Sequence, residues 1–216
     1  MRDTLKTWYP LLLALLGAGL SAAVYPRLPE SMVVHWDLQG NPNGWMPRPV
    51  GALILPVMLV VLWQLFRLAP RLDPRQANYA RFGEAYETVV AATLLLVLAT
   101  HCIMLGMALG YHLPVRRLVC ALVGALYLVI GNVMPRTRSN WTFGVRTPWT
   151  LTSDRVWTRT HRLTGYSMML AGIIMLAGAF VLPADIGVIV TVGACVAAAL
   201  GPAAYSYVVW RREQRR

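Results

Sequence analysis

Residues 86–109 read YETVVAATLLLVLATHCIMLGMAL, and this stretch decides the fold class. After Glu87 it contains no Asp, Glu, Lys or Arg. A helix needs about 20 predominantly apolar residues to cross roughly 30 Å of hydrocarbon. The segment therefore predicts a transmembrane helix. His101 lies in its outer half, where we expect a hydrogen bond between helices rather than an ion pathway.

The rest of the chain has the same character. It is 57% hydrophobic and 13% charged, with a mean hydropathy of +0.52, whereas soluble domains are about 25% charged. We predict one all-α, polytopic membrane domain, residues 1–216, with six transmembrane helices. The predicted spans are residues 8–25, 49–68, 86–109, 117–134, 165–182 and 186–209. Prolines 26, 70, 114, 135 and 183 are expected just outside the helices, because proline ends helices readily.

The distribution of basic residues predicts the orientation. With six spans, both termini lie on one side, and placing them in the cytoplasm puts 16 of the 20 basic residues there. The four on the outside are Arg27, Arg48, Arg116 and Arg117. This asymmetry follows the positive-inside rule. It also explains the net charge of +11 as a topology signal, so direct nucleic-acid binding is not predicted.

The N-terminus allows a second interpretation. Arg2 and Lys6, a short apolar run and the small residues 21–23 also resemble a cleavable signal peptide. Trp8 and Tyr9 instead favour a retained helix with an interfacial anchor.

The segment between the first two spans, residues 26–48, reads PRLPESMVVHWDLQGNPNGWMPR. Met32–Trp36 has strand character, and residues 39–44 are rich in turn formers, which predicts a small outer hairpin. His35 and Asp37 would project to the same side of a strand. Two such ligands are too few for a metal site. Trp36 and Trp45 are typical of an aromatic belt at the headgroups.

The segment between the fourth and fifth spans, residues 135–164, concentrates polar chemistry. Its centre, residues 140–162, reads NWTFGVRTPWTLTSDRVWTRTHR. Gly144 and Pro148 predict an irregular, tightly turned stretch, and Ser153 predicts the N-cap of a new helix. In that helix Arg155, Arg159 and Arg162 share one face, while Trp157 and His161 share another.

Two interpretations of this inner segment remain open. In one, its arginines contact anionic headgroups and its tryptophans lie at the membrane interface. In the other, the rigid turn with Arg146, Thr147 and Trp149 holds a planar or anionic ligand, because guanidinium binds in a fork or stacks on indole.

The motifs Asn132–Arg136, Phe143–Leu151 and Val156–Leu163 resemble the signature of the SdpI family of bacterial membrane proteins. The outer segment resembles the domain of unknown function found at the N-terminus of many members. The resemblance implies an immunity protein of the bacterial cytoplasmic membrane, which protects against a membrane-active peptide toxin and captures a cytoplasmic transcriptional repressor. The candidate inner binding residues are Asn132, Arg136, Arg138, Asn140, Gly144, Arg146, Thr147, Pro148, Trp149, Thr150, Trp157, Thr160, His161 and Arg162. The candidate outer residues are His35, Trp36, Asp37, Gly40 and Trp45.

An alternative function is a membrane enzyme or carrier for a phosphate-bearing lipid. Arg138, Arg146 and Arg162 would bind the phosphate, and His161 would act as acid or base. The inner segment offers only Asp154 as an acidic partner, so we assign no catalytic residue, cofactor or metal. The nearly charge-free spans also disfavour an ion-coupled transporter.

Overall fold

A computed structural model describes residues 2–215, with side chains from Trp8 onward. Its helices are α1 (Arg2–Val24), α2 (Arg48–Leu72), α3 (Gly83–Ala108), α4 (Val115–Val133), α5 (Pro148–Thr152), α6 (Asp154–Val181) and α7 (Ala184–Gln214). Its strands are β1 (Ser31–Trp36) and β2 (Pro42–Pro47). Short 3-10 turns follow α1, α2 and α4. Six of these helices, all except α5, are long and apolar enough to cross a membrane, which confirms the predicted six-helix architecture.

The observed helices extend beyond the predicted spans. The segment α6 begins at Asp154, eleven residues before the predicted span, and α7 continues to Gln214. Pro70 was expected outside a helix but lies within the last turn of α2. Hydropathy marks only the part of a helix that lies in hydrocarbon, whereas polar turns of the same helix continue into the headgroup region.

Helices α4 and α6 pack most closely through glycine. A Cβ atom at Gly172 would lie 2.6 Å from the carbonyl oxygen of Gly124, and one at Gly131 would lie 2.8 Å from the carbonyl oxygen of Gly165. Small residues let membrane helices approach until their backbones touch. Gly106 and Gly110 have a spacing that would also fit a small-residue contact, but they do not form one, because Gly110 lies beyond the end of α3 with φ +90°.

His101 joins the first three transmembrane helices. Its side chain is fully buried, and Nε2 lies 3.0 Å from Ser21 Oγ and 3.1 Å from the Gly17 carbonyl oxygen. Ser21 Oγ in turn donates to the carbonyl of Ala52 in α2, at 2.6 Å. The interhelical hydrogen bond expected for His101 is therefore confirmed.

The predicted hairpin is present between α1 and α2. Strands β1 and β2 pair antiparallel, with Ser31 opposite Pro47 and Met32 opposite Met46. Met32 is fully buried and packs against Gly51 in the first turn of α2, where a Cβ atom would lie 2.9 Å from the Met32 Cβ. This apolar anchor attaches the hairpin to one end of the helix bundle.

Candidate functional site

The signature segment folds into a compact cap, residues 137–153, at the end of the bundle opposite the hairpin. It consists of an irregular loop followed by α5, and it leads directly into α6. The connection between α2 and α3, residues 73–82, packs against the cap through hydrogen bonds. The end of α7 also reaches it, because Ser153 Oγ donates to Glu213 Oε2 at 2.7 Å.

Asp73 is the polar centre of this contact, with only 3% of its surface exposed. Its Oδ2 accepts a hydrogen bond from the Trp141 backbone N–H at 2.8 Å and from the Tyr79 hydroxyl at 3.0 Å. Its Oδ1 accepts from the Arg75 N–H at 2.7 Å. A buried carboxylate is tolerated when hydrogen bonds replace its hydration. Burial raises the pKa of the Tyr79 hydroxyl to about 12, and Asp73 acts in the same direction.

Arg75 and Asn78 extend the contact along the cap. The Arg75 guanidinium donates from Nη2 to the Leu151 carbonyl at 2.6 Å, and from Nη1 to the Ser139 hydroxyl. Asn78 Nδ2 donates to the Ser139 carbonyl at 2.7 Å. Arg75 thereby joins the two ends of the cap, because Ser139 and Leu151 lie on either side of its loop.

Asn140 shapes the first turn of the cap and is fully buried. Its Oδ1 accepts hydrogen bonds from the backbone N–H groups of Thr142 at 3.0 Å and Phe143 at 2.6 Å. Its Nδ2 donates to the Arg138 carbonyl at 2.8 Å. The Thr142 hydroxyl also donates to Oδ1, at 3.4 Å. All of these partners lie in the cap, so Asn140 is a turn-forming residue.

His161, the eighth residue of α6, forms a hydrogen bond with the loop of the cap. Its Nδ1 lies 2.9 Å from the Trp157 carbonyl, and its Nε2 accepts from the Val145 N–H at 3.0 Å. This pattern requires a neutral ring with the proton on Nδ1. Trp157 stacks on the ring at a centroid distance of 3.9 Å, and both side chains are at most 1% exposed. Trp157 is therefore buried inside the protein and does not contact lipid headgroups, contrary to the first interpretation of this segment.

Both ring nitrogens of His161 form hydrogen bonds with backbone groups. The ring is fully buried and has no free nitrogen to exchange a proton with a bound lipid. This arrangement argues against the general acid–base role considered for His161.

Gly144 approaches the same histidine. Its φ is +109°, and a Cβ atom would lie 2.3 Å from His161 Nε2. Only glycine adopts this backbone conformation readily, and the contact leaves no space for a side chain. The glycine of the signature is thus required by the fold of the cap.

Helix α5 is attached to α7. Thr147 and Thr150 form a reciprocal capping box at its start, and Thr150 Oγ1 also donates to the Val145 carbonyl at 2.8 Å. The Trp149 ring N–H donates to the Ser206 hydroxyl, and the ring contacts Tyr207 with a centroid distance of 5.2 Å. Trp149 is thus a packing residue rather than a stacking platform for Arg146.

Of the remaining signature residues, Thr160 is fully buried and the others lie at the surface. Arg146 is exposed, and its Nη1 donates to the Trp141 carbonyl at 2.7 Å. Trp141 is 50% exposed. Cation–π contacts in the described part of the chain involve Arg48 and Arg211, and not Arg146. The other exposed members of the predicted inner set are Asn132, Arg136, Arg138, Pro148 and Arg162.

The outer candidates lie on the hairpin and its turn. The His35 ring Nδ1 lies 2.5 Å from Asn43 Oδ1, and Asp37 Oδ1 accepts from the Asn41 N–H at 2.7 Å. Gly40 has φ +85° and packs against the Arg116 side chain. Among the residues from Trp8 to Arg215, no three His, Cys, Asp or Glu side chains group into a metal site. Asp37 and Gly40 are turn-forming residues, because Asp37 accepts the Asn41 N–H and Gly40 has a positive φ. Trp45 is 57% exposed.

The residues that bind the cap to the bundle were not among the sequence candidates. They are Asp73, Arg75, Asn78, Tyr79, Ser206 and Glu213. Asp73 carried one usable signal, because it is the only carboxylate in a connection otherwise rich in arginine. The others have no local pattern that would reveal a partner 57 or more residues away.

Comparison with known proteins gives matches to family models for two separate parts of the chain. Residues 136–206 match the SdpI/YfhL protein family, and residues 12–60 match a domain of unknown function. The Immunity protein SdpI of Bacillus subtilis (strain 168) is 28% identical over 156 residues, which cover 72% of each chain. No solved structure matches. The resemblance predicted from the motifs is confirmed.

Proposed function

We propose that this multi-pass membrane protein, a member of the SdpI/YfhL family through residues 136–206, is an immunity protein of the bacterial cytoplasmic membrane. It protects the cell against a membrane-active peptide toxin. The observation that carries the proposal is the similarity to an immunity protein across 72% of both chains, which includes more than the signature segment alone. The hairpin faces outward and the cap faces the cytoplasm, as the distribution of basic residues favours.

The hairpin is the part of the protein that binds the peptide toxin. Leu38 and Trp45 are 66% and 57% exposed, so they present apolar surface beside the hydrogen-bonded His35 and Asn43. Tryptophan is common among the residues that dominate binding energy at protein interfaces. An amphipathic peptide at the membrane surface would bury this exposed indole.

The test is survival of cells exposed to the cognate peptide toxin. Trp45→Ala should sensitise cells by roughly 30-fold in toxin concentration, which corresponds to an interface residue worth about 2 kcal/mol. Trp141→Ala is the matched control, because Trp141 is similarly exposed, at 50%, but lies at the opposite end of the bundle. Membrane abundance of both variants is measured by immunoblotting. Equal sensitivity of the two variants, or sensitivity that follows abundance, would refute a role of the hairpin in protection.

The cap offers a second surface, on which a cytoplasmic repressor binds. Arg138 and Arg146 are exposed beside Trp141. A cavity of about 710 Å³ is lined by three further arginines, Arg67, Arg81 and Arg136, together with Glu84 and Glu87. Exposed guanidinium groups bind carboxylates in a fork, so an acidic patch on the repressor is the expected partner. Charge reversal at Arg146 should release the repressor from the membrane fraction without loss of toxin protection. A repressor that stays soluble in wild-type cells exposed to toxin would refute this part alone.

A further inference from the structure

The cavity of about 710 Å³ lies at the cap end of α2 and α3. Three exposed arginines line it, each from a different element: Arg67 from α2, Arg81 from the turn before α3, and Arg136 from the turn after α4. Within the described part of the chain, none of these three side chains has a hydrogen bond, an ion pair or a cation–π contact. Arg138 and Arg146, on the repressor surface, do not line the cavity. The three arginines are therefore a second basic cluster, and they are available to a ligand.

The charges on the cavity walls favour a ligand with one negative charge. Three guanidinium groups around one cavity repel each other, and an anion between them offsets that repulsion. Glu84 and Glu87 also line the cavity, but neither forms an ion pair with the three arginines. These five charged side chains give the walls a net charge of +1. A single phosphodiester neutralises this charge, whereas an acidic protein segment would place several carboxylates beside the two glutamates.

The depth of the cavity matches the level of lipid headgroups. Residues 49–66 of α2 contain no Asp, Glu, Lys or Arg. Arg67 lies roughly 29 Å from Arg48 along the helix axis, at 1.5 Å per residue, and the hydrocarbon layer is about 30 Å thick. Since Arg48 follows the hairpin at one membrane surface, Arg67 lies at the headgroups of the other. Leu65 and Leu68 are 56% and 43% exposed, so α2 contacts lipid next to the cavity.

We propose that this cavity binds the phosphodiester of phosphatidylglycerol from the cytoplasmic leaflet, through Arg67, Arg81 and Arg136. Guanidinium groups bind phosphate oxygens in a fork, and basic pockets between transmembrane helices on the cytoplasmic side are typical sites for anionic headgroups. Phe66 and Pro70 form an apolar wall that contacts the glycerol backbone and the first carbons of the acyl chains. The assignment to the cytoplasmic leaflet rests on the orientation in the proposed function, whereas binding of the lipid does not.

Native mass spectrometry of the purified protein in detergent tests the site by counting bound lipids. Phosphatidylglycerol and the zwitterionic phosphatidylcholine, with identical acyl chains, are titrated separately. We expect saturable binding of one phosphatidylglycerol, with a dissociation constant about fivefold below that of phosphatidylcholine, the equivalent of about 1 kcal/mol for one net charge. Equal affinity for the two lipids, or binding of phosphatidylglycerol that does not saturate, would overturn the site.

A matched pair of variants on α2 locates the bound lipid. Arg67→Gln should weaken phosphatidylglycerol binding roughly tenfold, because it removes a charge-assisted hydrogen bond to phosphate. Arg71→Gln is the control, since Arg71 is exposed on the same helix but does not line the cavity, and its affinity should equal that of wild type. Gel filtration checks that both variants are folded, and Arg81→Gln replaces Arg67→Gln if the latter is not. Equal weakening in the cavity variant and the control, or none in either, would overturn the site.

Competition with soluble anions separates a lipid from other ligands of the same cavity. Neither glycerol 3-phosphate nor a polyglutamate peptide, each at millimolar concentration, should displace phosphatidylglycerol. The first lacks acyl chains, and the second brings several carboxylates beside Glu84. Displacement by glycerol 3-phosphate would assign the cavity to a soluble phosphate ester, and displacement by polyglutamate would assign it to an acidic protein segment, so either would overturn the lipid site. These measurements use neither toxin nor repressor, so their outcome is independent of the proposed immunity function.

Discussion

Replacing Gly144 by alanine should open the cap while leaving the membrane helices intact. The φ of +109° places this residue in a region that costs a non-glycine residue about 1–3 kcal/mol. The new Cβ would also lie 2.3 Å from His161 Nε2, so the Val145 N–H to Nε2 hydrogen bond must break. Leaving a buried polar group unsatisfied costs about 1–3 kcal/mol. The sum is about 2–6 kcal/mol against the closed cap.

Hydrogen exchange measures this opening, because exchange of a protected amide requires local unfolding. A loss of 3 kcal/mol, in the lower half of that range, corresponds to roughly a 100-fold faster exchange, at about 1.4 kcal/mol per factor of ten. We expect this acceleration in residues 137–153 of Gly144→Ala in detergent, and unchanged exchange in α4. Gly193→Ala is the control, since a Cβ at Gly193 meets nothing within 4 Å. Unchanged protection of the cap in Gly144→Ala would refute the idea that His161 and Gly144 form one packed unit.

Three further predictions test the two ends of the protein. A reporter inserted near Ser153 should report the cytoplasm and one near Asn41 the outside, and the reverse pattern would invert the proposed orientation. Arg146→Lys should weaken repressor capture, because lysine lacks the guanidinium fork, whereas Arg155→Lys, at a half-exposed pair 3.9 Å from Glu213, should be silent in the same assay. The raised pKa of Tyr79, about 12 against 10.0, means that its neutral hydroxyl stabilises the cap fully below pH 10 and that this stability is lost as pH rises through 12. Exchange in the cap should therefore increase between pH 10 and 12 beyond the intrinsic base catalysis, and Tyr79→Phe should remove that step.

The helices could be predicted from the sequence because hydrocarbon imposes one composition on everything that crosses it. The hairpin was predictable for a local reason as well, since turn residues lie between two short strands. Helix ends were predicted less well, because α6 and α7 continue past the apolar region. The glycine contacts between α4 and α6 were missed, since a small-residue pattern such as Gly106–Gly110 does not show which helix it faces. A partner in space leaves no local pattern in the sequence.

The same limit explains the candidate site. Residues of the family signature were predicted as one binding surface, but their side chains divide between two tasks. Asn140, Gly144, Thr150 and His161 are committed to the backbone of the cap, so a partner cannot contact them without unfolding it. The exposed basic side chains, with Arg146 beside Trp141, remain available. A substitution in the first group and one in the second should therefore abolish partner binding for different reasons, the first with a loss of exchange protection in residues 137–153 and the second without it. The distinction is measurable, and it separates the signature residues that fold the cap from those that contact a partner.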